Sequence, residues 1–150
     1  MPVPPVPAPD DARWLTDALV RHGAVAGSVH RRDGGVLRLT AAHGLPEPIR
    51  ALVLTVPVGK GMAGQAAASG RAFQTCNVRS DPSPVIQAGA RAVPAQAAVA
   101  IPVLDADCRA HAVIGFAFAR AGEILPDVLA RLEASAAGLP GASSAPAAGP

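Results

Sequence analysis

"VPVGKGMAGQAAASG", residues 56–70, is the stretch on which the reading of the fold turns. Inside it Gly59, Lys60, Gly61, Met62, Ala63 and Gly64 spell G-x-G-x-x-G. In a dinucleotide-binding fold that spelling sets a pyrophosphate against a helix N-terminus. The pattern needs surroundings that this chain lacks. A crossover between parallel strands takes about a dozen residues or more, whereas Gly70 ends the helical run after roughly two turns. Pro57 confines the run before it to the edge or end of a sheet. Asp81 stands near the spacing of a ribose-binding acid, but it lies in the loop-like "RSDPSP". No βαβ repeat follows. Gly61 stands after Lys60 where a phosphate loop has lysine followed by Ser or Thr. What remains is a tight strand-to-helix turn, with glycines that let the helix approach the sheet closely.

Working outward toward the N-terminus, "AVAGSVHRRDGGVLRLTAAHG" holds two strand-like runs, about 24–31 and 36–42. Asp33-Gly34-Gly35 between them supplies the residues a tight hairpin requires. On the second run Leu37, Leu39 and Ala41 alternate with Val36, Arg38 and Thr40, which predicts one buried face. Before the hairpin, Asp10 or Asp11 caps a helix running to about His22. Leu15, Ala18 and Leu19 form its apolar stripe, flanked by Trp14, and Gly23 fits the position past its end. Residues 47–54 predict a short helix after the break at Gly44-Leu45-Pro46.

On the C-terminal side, residues 73–76 read as a short strand. A long connection at 77–94 follows, of the kind that often carries function. Two good strands, 96–104 and 111–119, flank a turn with Asp105, Asp107 and Cys108. A last helix spans about 125–137, with Leu125, Leu129, Leu132 and Ala136 on its stripe and Gly138 as its stop. The order predicts an α+β fold with a mainly antiparallel sheet. The expected organisation is a disordered Pro-rich tail at 1–9, the domain at 10–138, and a disordered Gly/Ala/Ser/Pro tail at 139–150.

Composition narrows the function. The chain has 150 residues, enough for one domain with a single core. Three Phe, one Trp and no Tyr leave little for stacking nucleobases. A net charge of +2 gives no nucleic-acid footprint. No apolar run reaches a membrane-spanning length, and "MPVPPVPAPDD" lacks the features of a secretory signal. Two cysteines make no disulfide framework, so the expected compartment is the cytoplasm. The four histidines show no metal-ligand spacing, and Ser28 and Ser69 have no evident base.

"LRLTAAHGLP", "VPVGKGMAGQAAASGRAFQTCNVRSDP", "AAVAIPVL" and "AVIGFAFA", in that order, resemble a GAF domain over about residues 10–138. The resemblance implies a central antiparallel sheet of about six strands. Terminal helices would lie on one face, and a small-molecule pocket under short helices and the long loop on the other. By position Phe73, Thr75, Asn77, Val78, Arg91, Gln96 and Phe116, or Phe118, would line that pocket. Each has a plainer reading: Phe73 and Phe116 as core, Asn77 as a turn cap, Arg91 as a solvated loop residue in place of an anion partner.

The implied function is a sensory or regulatory module without cofactor or metal, binding an unknown small molecule. It would form a homodimer and act in trans on a signalling partner. The cyclic-nucleotide and bilin patterns of the family are missing, and His43 alone makes a poor haem ligand. One branch of the family reduces free methionine-(R)-sulfoxide, which takes thiols within reach of each other. That branch has a cysteine where this chain has Ala63, and its catalytic cysteine in the loop that here reads "PVIQAGARAVPAQ". Cys76 and Cys108 stand elsewhere, so a thiol-dependent reductase is the alternative and a purely structural dimerisation module the third reading.

Overall fold

The computed structural model describes residues 9–75, 96–120 and 122–139. Helix α1 (Pro9–His22) carries Asp10 and Asp11 in its first turn and Arg21 and His22 in its last, matching the helix dipole at both ends. Gly23, at φ 70°, turns the chain out of it. Strands β1 (Ala26–Asp33) and β2 (Val36–His43) form the expected hairpin, with Gly34 at φ 64° in the turn. The short helix α2 (Glu47–Leu52), strand β3 (Thr55–Pro57), helix α3 (Gly61–Ser69) and strand β4 (Phe73–Thr75) follow. Strands β5 (Ala97–Leu104) and β6 (Ala110–Phe118) make the second hairpin, and α4 (Pro126–Ala136) closes the order. Proline at its first turn suits α4, because the missing N–H has no helical partner there.

All six strands join one antiparallel sheet in the order β3-β2-β1-β6-β5-β4. Both three-residue strands lie at its edges, as Pro57 predicts for β3. A bulge between Val29 and His30 shifts the register of β1 on β2, so Val29 faces Ala41 while His30 faces Leu39. This corrects the expectation of one buried face on β2. Leu37 packs with α3, and Ala41 packs with α1 on the other side of the sheet. Alternation along a strand assumes an unbroken pleat, and one extra residue reverses it.

The main core lies between the sheet and the terminal helices. Leu15, Ala18 and Leu19 from α1 and Leu132 and Ala136 from α4 meet Val29, Val99, Ile101, Ile114 and Phe116. Leu139 is buried there too, one residue beyond the expected domain end. Gly138 does not act as a left-handed stop: α4 ends with Ala137 in the right-handed region. Leu125, expected on the α4 stripe, caps the helix and is exposed.

Asp11 fixes α1 to the sheet. It is 1% exposed and accepts hydrogen bonds from Arg31 Nε (2.8 Å) and Nη2 (2.6 Å) and from the Thr40 hydroxyl (2.6 Å). At the far end of α1, His22 Nε2 lies 2.7 Å from Ser135 Oγ on α4, and its ring meets Phe116 edge-on at 5.8 Å.

Candidate functional site

The glycine turn opens the second face of the sheet. Gly59 and Gly61 sit at φ 98° and 66°, where L side chains are strained. The Gly59 N–H donates to the Gly64 carbonyl (2.8 Å) and the Lys60 N–H to the Pro57 carbonyl (3.1 Å). Gln65 closes the turn by donating from Nε2 to the Gly59 carbonyl (2.8 Å). Two of the amides that would cradle a phosphate are therefore used within the turn. Gly64 is buried, and a Cβ there would run into the Pro57 carbonyl. The stretch is thus a packing device, as the sequence implies. It lets Ala66 and Ala67 of α3 lie against Leu37, Ala100, Ala110 and Val113.

Beside α3 the same face carries small residues in register across the strands. One row runs Phe73, Ala100, Gly115, Ser28, Ala42, and the next runs Thr75, Ala98, Ala117, Ala26. Ser28, Ala42, Ala98, Gly115 and Ala117 are only half-buried. A Cβ on Gly115 would come 2.8 Å from Ser28 Oγ, so the glycine leaves that hydroxyl uncovered. The Ser28 side chain makes no hydrogen bond among the described residues. Leu45 packs on Ala26 and Ala117 at one margin, and Phe73 stands at the other. The floor is shallow and largely apolar, with one free hydroxyl near its centre.

Next to this floor lies His30, 3% exposed, between Leu39 and Val113 on the flanking strands. Its Nε2 is 2.8 Å from the Val53 carbonyl, while Nδ1 is buried without a partner among the described residues. Burial pulls its proton affinity below the ordinary histidine value, and the bond to Val53 offsets this only in part.

The sequence-predicted site residues divide. Phe73 and Thr75 lie on the pocket face, Phe73 packed in the α3 cluster and Thr75 buried at 4% exposure. Gln96 is exposed just before β5, where its N–H donates to the Phe118 carbonyl. Phe116 is corrected: it is 1% exposed in the helix-side core, on the opposite face. Phe118 packs on that side as well. Strand parity decides this, since both aromatics share the face of Ala112 and Ile114. Asn77, Val78, Arg91 and Cys76 lie outside the described residues.

Ala42, Ala98, Ala117 and His30 escaped the sequence reading, and Ser28 entered it only as a nucleophile without a base. A usable signal existed in β5. Val99, Ile101 and Val103 fill one side, while Ala98, Ala100 and Pro102 leave the other low. A shallow cleft of about 240 Å³ on the helix side involves Ala97, Phe118, Ile124, Leu125 and Val128, with Arg120 and Glu123 beside them. Among the described residues no cluster of His, Cys, Asp or Glu could hold a metal, and no helix is long and apolar enough to cross a membrane.

Comparison with known proteins places this architecture. A family model described as "GAF domain" matches residues 12–139. No curated protein matches the sequence. Among solved structures, the type II free methionine-R-sulfoxide reductase of Thermoplasma acidophilum is similar at 14% identity and TM-score 0.67, over 91% of this chain and 94% of that one. The GAF domain of Acinetobacter phosphoenolpyruvate-protein phosphotransferase is similar at 12% identity and TM-score 0.68, over 93% and 83%. The A. aeolicus Nlh2 GAF domain in an inactive state gives 18% identity and TM-score 0.61, over 83% and 74%. At these identities the likeness is one of fold.

Proposed function

The chain belongs to the GAF domain family, and from that premise we propose that it is a regulatory module whose ligand rests on the small-residue floor of the pocket face. The observation that carries this reading is the half-buried set Ser28, Ala42, Ala98, Gly115 and Ala117 beside α3. Those side chains are too short to fill the space above their strands, and the Ser28 hydroxyl awaits a partner. A ligand with an apolar body and one hydrogen-bonding group fits such a surface. The module acts as a homodimer in the cytoplasm, through a signalling partner, and without catalysis of its own. The apolar stripes of α1 and α4 are spent on the sheet, so the dimer uses their outer surfaces, where Val20 is 80% exposed.

The reductase reading has less behind it. Cys108 is exposed in the β5–β6 turn. It lies beyond Leu104, six residues along β5 from Ala98, which is roughly 20 Å at the rise of a strand. No described thiol stands on the floor.

Native mass spectrometry of the purified chain tests the proposal. The expected result is a dimer retaining a small molecule, with the molecule lost in Ala117→Leu, which fills the floor. Retention of the same molecule at the same occupancy by Ala117→Leu refutes the site. A bare chain that also shows no thermal shift with a panel of small metabolites refutes ligand binding. Turnover of free methionine sulfoxide with a thiol reductant, lost in Cys76→Ser or Cys108→Ser, would reverse the ranking of the two readings.

A further inference from the structure

We propose that His30 is an acid-released latch that fastens the α2–β3 segment to the pocket face of the sheet. The bond from the ring to Val53 joins β1 to the two-residue link between α2 and β3. A carbonyl only accepts, so Nε2 carries the hydrogen and the buried Nδ1 is bare. The C-terminal end of the segment is held by Val56, which packs on the Leu37 cluster, and among the described residues the rest of the segment has few other ties. The described side chains of α2, those of Glu47, Pro48, Arg50, Ala51 and Leu52, are all exposed. The Leu39 N–H donates to the Leu54 carbonyl at 2.9 Å, and β3 adds a three-residue ladder.

Protonation of the ring puts a charge and a new N–H among apolar neighbours. An unmatched buried donor is costly, and a buried unpaired charge more so. Among the described residues no carboxylate answers it from the elements around the ring. On β1, Arg31 turns to Asp11 on the other face, Arg32 bonds the Gly34 and Ala110 carbonyls, and Asp33 pairs with Arg38 of β2. Strand β6 brings His111, whose own Nε2 is buried with no partner among the described residues. Strand β3 (Thr55–Pro57) and α3 (Gly61–Ser69) contribute no charged side chain, and Lys60 before α3 is exposed. On α2, Glu47 and Arg50 face solvent. A protonated ring finds its partners in water, and reaching water means lifting the segment.

The sign follows from the depressed proton affinity of the latched ring. Above the ordinary histidine value, about 6.5, both forms are neutral and the latch holds in full. Below it the open form takes the proton first. The opening constant then rises up to about tenfold per pH unit, and levels off once the latched ring itself titrates. The device stands whether or not the face holds a ligand.

Hydrogen exchange on the full chain between about pH 7.5 and 5.5, corrected for intrinsic rates, brackets the ordinary histidine value and tests it. The Leu39 amide, which the segment protects, is expected to open up to about tenfold more per pH unit below that value, while amides of β5 and β6 stay protected. In His30→Phe, which keeps a ring but cannot titrate, that dependence disappears. If His30→Phe does not fold, an NMR titration of the unmodified chain decides alone. The His30 ring should titrate below the ordinary histidine value, with the Leu39 amide moving at the same midpoint. A flat exchange profile, an unchanged pH dependence in His30→Phe, or a ring titrating at the ordinary value with the amide still, overturns the proposal.

Discussion

Replacing Asp11 by Ala tests the joint that fixes α1 to the sheet. The carboxylate is 1% exposed and accepts three hydrogen bonds, two from Arg31 and one from Thr40. Its removal takes two hydrogen bonds from the Arg31 guanidinium and the shorter of two from the Thr40 hydroxyl, which keeps the Val29 carbonyl at 3.3 Å; bonds to a charged group are worth about 1.5–3 kcal/mol each. The Arg31 side chain is 30% exposed and regains some hydration, which holds the total near 3 kcal/mol, the low end for a broken buried pair. In a chain of 150 residues this lowers Tm by about 6–12 °C. Arg31→Met strands the buried carboxylate instead and costs about 4 kcal/mol. The double variant costs less than the sum, because both single changes remove the same ion pair. Burial raises the Asp11 pKa, but the Arg31 and Thr40 hydrogen bonds and the Arg31 charge outweigh it, and the net shift is downward from 3.8. The carboxylate's contribution is therefore present above that value and lost as pH falls through the depressed one. Asp11→Asn should accordingly flatten the acid limb of the stability curve. Urea unfolding followed by Trp14 fluorescence reads all of these, since Trp14 sits on α1 and is the single tryptophan. A loss below about 1 kcal/mol for Asp11→Ala, or simple additivity of the two single variants, would refute the reasoning.

Two further expectations concern the faces of the sheet. Gly64→Ala should cost about 2–3 kcal/mol, because its Cβ meets backbone at Pro57 and Gly59 that has no rotamer to yield; equal denaturation midpoints for variant and parent would show that the turn can relax. Phe116→Leu should cost about 1–2 kcal/mol of core burial and leave retention of a small molecule unchanged. Loss of that molecule from a folded Phe116→Leu chain would move the site to the helix face.

Much of this fold was legible because its signals are local. Gly23 and Gly34 hold positive φ where the sequence puts a helix end and a hairpin, and Pro57 lies on an edge strand. Leu15, Ala18 and Leu19 face the core at helical spacing. The site was less legible, since which face a residue takes depends on register. The bulge at Val29 and His30 separates Leu37 from Ala41, and nothing in the residue types there marks it. The resemblance places Phe116 in the pocket by position, whereas strand parity sends it to the helices. Small residues invite no functional reading one at a time. Ala98, Gly115 and Ala117 gain meaning only when pairing sets them side by side.

Strand β3 has a further bearing on how this chain meets others. It is three residues long, ends in Pro57, and is followed by Gly59 at φ 98°. A proline offers no N–H, and the turn after it carries the backbone out of the strand path. A neighbouring chain thus finds almost no ladder to extend along that margin, and runaway edge-to-edge growth of the sheet is blocked there without any charged gatekeeper. The same feature that ruled out a central nucleotide-binding strand protects the protein against fibre formation at this edge of the sheet.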